Sequence, residues 1–328
     1  MSPTQSKKVA FLFPGQGSQS VGMGQAFYES STHLKALFNQ ANALMPADEA
    51  GRSLLEIMFH GPAEALNRTL YTQPAILAVS LAAYEAFKAQ VSLTPVAVAG
   101  HSLGEFSALV ASGALSLEDV VPIIETRARL MEDAPEGTMA AVLGLSATSI
   151  TQALASLELQ GEIAVVANDN SPTQQVISGT LRGIEQATPA LKEAGAKRVI
   201  PLPVGGAFHS PLMQVPAEAF ARVLQRVTFQ DARVPVITNV DAQATQASND
   251  LKTASIKQMP SSVQWTNTLH TLVEGLGVNA VIEFGPGKVL TGLMKKSYPE
   301  VDVYNVYDPE SLAEVVEAFQ TCGVYSLV

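Results

Sequence analysis

The sequence predicts an α/β fold built on a parallel sheet, and the first observation behind this is a series of short, uninterrupted apolar runs. Strands that are buried on both faces read as continuous apolar segments, whereas half-buried strands alternate with polar residues. The second observation is that helix-length segments separate these runs, as expected when helices cover both faces of a parallel sheet. The predicted strands of this sheet are residues 9–13, 96–100, 234–240, 280–284 and 301–306.

Residues 138–204 follow a different rhythm, which is the third observation. They predict a strand, a helix, two strands, a helix and a final strand, in that order. This βαββαβ order is typical of a ferredoxin-like unit. We therefore predict a large domain formed by residues 1–134 and 205–328, interrupted by a small domain over residues 135–204. A cleft between the two domains is the expected binding site.

The composition is that of a globular chain. Hydrophobic residues make up 47% of the 328 residues and charged residues 15%, which is the reverse of the balance found in disordered chains. The net charge of -10 argues against nucleic-acid binding, which needs a basic surface to displace counterions. The stretch that most resembles a flexible loop, residues 241–258, is polar and predicts a surface excursion.

Two further features concern location and cofactors. The apolar run that follows the polar residues 1–8 is too short for a signal peptide or a membrane span. A single cysteine, Cys322, excludes an intrachain disulfide. We therefore expect a cytoplasmic protein that has no membrane partner. The five histidines are scattered and no zinc-type motif occurs, so neither a metal site nor a bound cofactor is predicted.

The candidate reactive group is Ser102, which stands in the pattern Gly-x-Ser-x-Gly between Gly100 and Gly104. The pattern directly follows a predicted strand and directly precedes a predicted helix. In that setting a sharp turn strains the serine backbone, and small flanking residues avoid a clash. The helix N-terminus also favours negative charge that develops beside the serine. A chance occurrence of the pattern is the alternative, and the strand-and-helix context weakens it.

A serine nucleophile needs a base at neutral pH, and His209 is the best candidate. It follows Gly205 and Gly206 at the end of a predicted strand and precedes Pro211, so its side chain can project from a turn into a cleft. The alternative interpretation is an ordinary surface turn. His101 is a rival base, but a residue adjacent to a nucleophile usually points away from it.

Arg127 lies in the middle of an otherwise apolar helix face. Residues 116–134 predict a helix that Ser116 and Asp119 cap at its N-terminus. A buried guanidinium needs an anionic partner, which is either an internal carboxylate or a ligand. Pro122 lies inside this helix and predicts a kink that could shift the arginine. The apolar residues on the same face are Ile123, Ile124, Leu130 and Met131.

Together these motifs resemble the malonyl-CoA:acyl-carrier-protein transacylases of fatty-acid and polyketide synthesis. The resemblance runs from about Val9 to about Lys296, which is most of the chain. It rests on eight segments in the same order: FPGQGSQ (13–19), TQPAILA (72–78), GHSLGE (100–105), TRARLM (126–131), NSPTQQVISG (170–179), GAFHSPLM (206–213), VQWT (263–266) and FGPGKVLTGL (284–293).

The resemblance implies an α/β-hydrolase-like large domain with a ferredoxin-like insert. It also implies that Ser102 is the acylated nucleophile, that His209 is its base, and that the backbone amides of Gln16 and Leu103 form the oxyanion hole. Members of this family steady the histidine with a main-chain carbonyl, expected here near Gln264, so no catalytic aspartate is expected. A triad acid stays open as an alternative, because three aspartates lie near predicted strand ends: Asp241, Asp302 and Asp308.

Selectivity for a malonyl group is a further implication of the resemblance. The corresponding arginine binds the free carboxylate of malonyl, which assigns this role to Arg127. A planar guanidinium pairs with a carboxylate through two hydrogen bonds, and a lysine does not. Phe208 resembles the bulky residue that crowds substituents on the α-carbon of the acyl group. The other residues expected in the substrate pocket are Gln264, Asn170 and His101.

The implied reaction is a ping-pong transfer of malonyl from malonyl-CoA, through Ser102, to the phosphopantetheine thiol of an acyl carrier protein. We expect the enzyme to be a monomer. A hydrolase that releases acyl groups from carrier proteins would share the serine and the histidine, but is expected to lack the arginine. A non-catalytic docking module of a synthase is a third alternative, against which both reactive residues argue. Fatty-acid and polyketide synthesis both remain open as the pathway.

Overall fold

The structure, a computed structural model, describes residues 7–321 and 326–327, so the single cysteine, Cys322, lies outside the described residues. The strands are β1 (Val9–Phe13), β2 (Val91–Ser92), β3 (Ala97–Gly100), β4 (Thr138–Leu143), β5 (Ala164–Ser171), β6 (Gln174–Gly179), β7 (Arg198–Pro201), β8 (Val236–Ile237), β9 (Ala244–Thr245), β10 (Ala280–Phe284), β11 (Asp302–Val306) and β12 (Ser326–Leu327). The helices are α1 (Gln25–Ser30), α2 (Thr32–Leu44), α3 (Leu54–His60), α4 (Ala63–Leu66), α5 (Thr69–Lys88), α6 (Gly104–Ala111), α7 (Leu117–Glu132), α8 (Ala147–Ala155), α9 (Leu181–Glu193), α10 (Gln214–Leu224), α11 (Ser248–Lys257), α12 (Trp265–His270), α13 (Val289–Ser297) and α14 (Pro309–Thr321).

The main sheet orders its strands β11-β10-β1-β3-β8-β9, and all neighbouring pairs are parallel except β8 with β9. β1 is buried along its whole length. Its side chains alternate between two cores, since Phe11 and Phe13 enter one and Ala10 and Leu12 enter the other. This burial on both faces explains why the strand reads as one apolar run. The predicted α/β class with a parallel sheet is confirmed.

Helices cover both faces of the main sheet. α5 packs against α2, α6 and α7 on the face that carries the phenylalanines of β1. Because α5 is buried nearly all round, its sequence shows little amphipathic pattern. α12 and α13 cover the opposite face, and Trp265 of α12 lies in the core on that face. Within the described part of the chain, no helix is both long and apolar enough to cross a membrane.

The second sheet is formed within residues 138–201, in the order β5-β6-β4-β7, and every neighbouring pair is antiparallel. α8 and α9 pack against this sheet and close a separate core that includes Ile150, Ile177 and Leu191. The elements follow one another in the βαββαβ order expected for this segment. The exact boundaries of the two domains, at residues 135 and 204, stay a prediction.

The prediction of a surface excursion over residues 241–258 holds for residues 241–250, most of which are exposed, and is wrong for residues 251–258. β9 and α11 occupy most of this segment, and Leu251 and Ala254 of α11 are buried. The polar composition misleads because α11 buries only a narrow stripe of small and apolar side chains.

Pro122 does not end α7, which runs through it. Pro122 is exposed, so the helical carbonyl that loses its partner there can bind water.

The turn from β3 into α6 is too tightly packed to admit a side chain at either of its glycines. A Cβ atom on Gly100 would lie 1.9 Å from the backbone of Gly104. A Cβ atom on Gly104 would lie 2.0 Å from the carbonyl oxygen of Phe13. Phe13 ends β1, so the turn is pressed against the end of the neighbouring central strand. The Gly-x-Ser-x-Gly spacing is therefore a packing requirement of this turn.

This packing predicts that Gly104→Ala destabilises the protein by at least about 3 kcal/mol, because the methyl group displaces the end of β1. Gly292→Ala is the matched control, since Gly292 lies on α13 with open space where a Cβ would go. That change should stabilise the protein by about 0.5–1 kcal/mol through the better helix propensity of alanine. Urea unfolding of both variants measures the two effects. A Gly104→Ala variant as stable as the wild type would show that the turn has room to adjust.

Candidate active site

Ser102 stands between β3 and α6 in a left-handed backbone conformation, with a φ of 52°. Its backbone is held on both sides. The N–H group donates to Oδ1 of Asn239 at 2.6 Å, and the carbonyl oxygen accepts from Nε2 of Gln258 at 3.0 Å. A non-glycine residue in this conformation is strained by about 1–3 kcal/mol and needs such support from its surroundings. The hydroxyl group is thereby presented to the cleft from a fixed position.

His209 reaches this serine from the segment that follows β7. Its Nε2 lies 2.7 Å from Oγ of Ser102. Its Nδ1 faces the carbonyl oxygens of Ser261 at 3.0 Å and Gln258 at 3.2 Å. Because carbonyl oxygens only accept, the proton is assigned to Nδ1, and Nε2 is left to accept from the serine hydroxyl. The arrangement is that of a nucleophile and its base.

No aspartate takes part in this pair. Asp241 accepts from Thr238 and from the backbone of Gln243. Asp302 pairs with Lys7, and Asp308 accepts from the backbone of Ser311. Within the described residues, the partners of the His209 Nδ1 atom are therefore peptide carbonyls. The acid that the sequence left open is absent from the position where a triad would need it.

Burial lowers the pKa of His209 to about 3, and the positive charge of Arg127 acts in the same direction. Only 4% of His209 is exposed, so a charged imidazolium would lose most of its hydration. The lowered pKa keeps the imidazole neutral at physiological pH, which is the form that can accept a proton.

Arg127 is buried beside Ser102, with 1% of its surface exposed. Its Nη2 donates to Oγ of Ser102 at 3.1 Å and to Oε1 of Gln258 at 3.0 Å, and its Nη1 donates to Oε1 of Gln73 at 2.6 Å. Its Nε has no hydrogen-bond partner among the described residues. The guanidinium lies 5.7 Å from the ring centre of Phe106, a distance that allows a cation–π contact.

The partners of Arg127 are neutral, so the site contains a cation without a bound carboxylate. Burial lowers the pKa of Arg127 to about 10, and the carboxyl group of Glu105 opposes this shift through its charge. Among the described residues, Glu105 makes no hydrogen bond to Arg127. The internal ion pair that the sequence left open is therefore not formed. The guanidinium charge remains available to an anion that enters the cleft.

Gln258 bonds to Ser102, Arg127 and His209, a role that no sequence pattern indicated. Its side chain donates to the carbonyl of Ser102 and accepts from Arg127, while its own carbonyl oxygen accepts from His209. It lies just after α11, in the segment that the sequence predicts to be a surface excursion. The main-chain carbonyl expected near Gln264 is that of Ser261, three residues earlier, and the carbonyl of Gln258 is a second partner.

The reactive groups open into a cavity of about 90 Å³. A second cavity of about 280 Å³ adjoins it, and the two share Met131, Val204 and Phe208. Phe208 therefore lies where the two cavities meet. The residues that line the smaller cavity are Gln16, Gln73, His101, Ser102, Leu103, Arg127, Met131, Met139, Asn168, Val176, Leu202, Val204, Phe208 and His209.

The two residues predicted to form the oxyanion hole, Gln16 and Leu103, both line this cavity. Gln16 follows β1, and Leu103 opens α6 directly after the nucleophile. The side chain of Gln16 donates to Oγ1 of Thr69 at 3.2 Å, which keeps it to one side. Within residues 7–321, neither amide N–H donates to another protein group. Both are thus free to donate to an oxygen atom of a ligand.

His101 lies beside the nucleophile, but its ring does not act on the serine. Its Nε2 lies 2.8 Å from Oδ1 of Asn170, and its ring packs against Trp265 at 5.4 Å between centres. Asn170 thus acts on the cavity through His101. Asn168, two residues earlier on β5, lines the cavity directly, and its buried Oδ1 has no partner among the described residues. The sequence singled out the wrong member of this pair as the cavity-lining asparagine.

Gln264 is not brought into the reactive cavity. Its side chain donates to the carbonyl oxygen of Val240 and accepts from Asn267. It lines a separate groove formed with α8 and β5. The described residues hold no cluster of three or more histidine, cysteine, aspartate or glutamate side chains that could bind a metal ion.

The chain matches a known protein family over nearly its whole length. The acyl transferase domain family matches residues 10–319. A malonyl CoA-acyl carrier protein transacylase of Bacillus subtilis (strain 168) is 43% identical over 316 residues, which are 95% of this chain and 98% of that relative.

Solved structures agree as well. An acyl carrier protein S-malonyltransferase from Vibrio cholerae matches with a TM-score of 0.86 at 39% identity, over 94% of this chain and 99% of that one. A malonyl-transacylase in complex with its type II PKS acyl-carrier protein matches with a TM-score of 0.88 at 37% identity, over 95% and 99%. Because the family match and these relatives span nearly the whole chain, the protein belongs to the acyl transferase family and is an acyltransferase.

Proposed function

We propose that this acyltransferase moves a malonyl group from malonyl-CoA to the phosphopantetheine thiol of an acyl carrier protein. The observation that carries the proposal is the buried guanidinium of Arg127, which has neutral partners and lies 3.1 Å from the oxygen of Ser102. An acyl group that bears a free carboxylate supplies the missing negative charge. The relatives that are named for malonyl transfer support the same substrate.

In the first half-reaction, Oγ of Ser102 attacks the thioester carbon of malonyl-CoA while its proton passes to Nε2 of His209. The tetrahedral oxyanion is held by the backbone N–H groups of Gln16 and Leu103. The intermediate then expels the coenzyme A sulfur, which takes the proton from His209. A C–O bond replaces a C–S bond, and malonyl-Ser102 remains on the enzyme.

The second half-reaction runs the same steps in reverse with a different thiol. The phosphopantetheine thiol of the carrier protein gives its proton to His209 and attacks the malonyl ester. Ser102 leaves with that proton, and the malonyl group departs on the carrier as a thioester. Both substrates present the same arm to one cavity in turn, which is the basis of a ping-pong mechanism. The complex of a related transacylase with its carrier protein supports this choice of partner.

Selectivity follows from the same charge. An acetyl group leaves the buried guanidinium of Arg127 without an anion, at a cost of roughly 3–5 kcal/mol relative to malonyl. Phe208 lines both cavities, which supports a role in crowding a substituted α-carbon. A hydrolase of the same fold would not need an arginine that lacks a carboxylate partner.

The cytoplasmic location and the monomeric state stay predictions. Both fatty-acid and polyketide synthesis stay open as the pathway.

The first test is intact-mass analysis after incubation with malonyl-CoA in the absence of a carrier protein. We expect a malonyl adduct on the wild type and none on Ser102→Ala, because the ester needs the Ser102 oxygen. Addition of a phosphopantetheinylated carrier protein should discharge the adduct. Release of free malonate without an adduct would favour the hydrolase. No reaction with malonyl-CoA would contradict the proposal.

The second test concerns selectivity and compares Arg127→Ala with Arg129→Ala. Arg129 lies on the same helix but is exposed and pairs with Glu125. We expect Arg127→Ala to lower kcat/KM for malonyl-CoA by about 100- to 1,000-fold, and to raise its relative rate with acetyl-CoA. Arg129→Ala should keep the wild-type preference. Equal losses for malonyl and acetyl in Arg127→Ala would show that the arginine has only a structural role.

The third test is the pH dependence of kcat/KM for acylation, which reports the pKa of the base in the free enzyme. A histidine with its ordinary pKa loses activity as the pH falls below about 6.5. The pKa of His209 is lowered to about 3, so the neutral base persists to lower pH. We therefore expect no tenfold loss per pH unit between pH 6.5 and pH 5. Burial raises the pKa of Glu105 to about 7, so a smaller change centred there reports Glu105 and not His209. A tenfold loss per pH unit below 6.5 would show that the site does not shift this pKa.

A further inference from the structure

Asn239 spans the turn that carries the nucleophile. It lies just after β8, the strand next to β3 in the main sheet. Its Oδ1 accepts from the backbone N–H of Ser102 at 2.6 Å, and its Nδ2 donates to the carbonyl oxygen of Gly100 at 2.6 Å. The side-chain amide of Asn239 thus bonds both to Gly100, which ends β3, and to Ser102, whose backbone is strained.

The backbone of Asn239 is fixed as firmly as its side chain. Its N–H donates to Oε2 of Glu105 at 2.6 Å, and its carbonyl oxygen accepts from the backbone N–H of Gln264 at 2.9 Å. Glu105 is completely buried on α6, in the helix turn that follows the nucleophile. Asn239 itself is 1% exposed. All four of its polar groups are therefore paired inside the protein.

The chemistry of this position calls for an amide. β3 and β8 pair in parallel, and the last pair of residues in register is Ala99 with Ile237. The side chain of Asn239 supplies one donor and one acceptor beyond that point, as a peptide group of a longer strand would. Alanine supplies neither, and an ionised aspartate supplies two acceptors where one donor is needed.

We infer that Asn239, held in place by Glu105, is the positioning residue that keeps Ser102 in its reactive backbone conformation. The mechanism of malonyl transfer uses Ser102, His209 and Arg127 but leaves this pair of residues without a role. The inference rests on the proposed function only in taking Ser102 as the nucleophile. Asn239 does not line the reactive cavity, so its effect is expected on the rate of attack and not on substrate binding.

The variant Asn239→Asp separates positioning from general stability, because its hydrogen bonding depends on pH. A protonated aspartate offers the O–H donor and the carbonyl acceptor that the turn needs. An ionised one repels both the Gly100 carbonyl and the carboxyl group of Glu105. Burial and this neighbouring carboxyl both oppose ionisation, so the pKa of the new side chain should lie above its usual range. The other charged or titratable groups in this region are Arg127, Asp241, His101 and His209.

The experiment measures acylation by malonyl-CoA at pH 5.5 and pH 8.5 for the wild type, Asn239→Asp and Asn239→Ala. We expect kcat of Asn239→Asp to lie within about 3-fold of the wild type at pH 5.5 and about 10- to 100-fold below it at pH 8.5. Asn239→Ala should show the larger loss at both pH values. KM should change by less than about 3-fold in each case. Asn249→Asp, an exposed asparagine on α11, is the matched control and should match the wild type throughout.

A second readout keeps the inference separate from the choice of substrate. Labelling of Ser102 by a fluorophosphonate needs the serine and its base but no malonyl group. Suppose that the wild type takes no malonyl, while fluorophosphonate labelling of Asn239→Asp is close to that of the wild type at pH 5.5 and much slower at pH 8.5. The proposed function then fails and the inference stands. Two results would overturn the inference: wild-type kcat in Asn239→Ala, or a loss in Asn239→Asp that is the same at both pH values. Should Asn239→Asp not fold, the Asn239→Ala result decides alone.

Discussion

Arg127 carries a positive charge into the interior of the protein, and the surrounding site is arranged around that charge. Neutral amides from Gln73 and Gln258 accept its hydrogen bonds, and the carboxyl group of Glu105 acts on it from a distance. A directly bonded carboxylate would satisfy the guanidinium but would also occupy it. Part of the desolvation free energy of the buried guanidinium is thus not offset within the protein, and an anionic ligand can offset it.

The same charge acts on the pKa of His209. Arg127 and burial both favour the neutral form of His209, while two peptide carbonyls fix its tautomer. The nucleophile is held in the same indirect way, by bonds to its backbone that leave its hydroxyl free. Ser102, Arg127 and His209 come from the turn before α6, from α7 and from the segment after β7. Gln258 bonds to all three residues.

The sequence was sufficient for the fold class, the element order of the small sheet and the candidate reactive residues, because each rests on a local pattern. A buried parallel strand is apolar throughout, and a tight strand-to-helix turn needs glycines at fixed positions. Gln258 and Asn239 have no such pattern, since their roles come from hydrogen bonds to residues more than a hundred positions away. Polar composition made residues 241–258 look like surface, although α11 brings Gln258 into the site. The choice of Gln264 failed for the same reason, because spacing alone cannot tell which of two nearby glutamines faces inward.

The carbonyl support of His209 has a consequence for how the protein tolerates mutation. In a triad, the group that orients the histidine is a side chain, and one nucleotide change can remove it. Here that group is the peptide backbone at Gln258 and Ser261, which every amino acid possesses. Under the proposed mechanism, random mutagenesis would therefore find Ser102, His209 and Arg127 as sites of loss, and no acidic residue in the orienting role. This part of the site is encoded by the path of the chain, so genetic variation reaches it only by altering the fold.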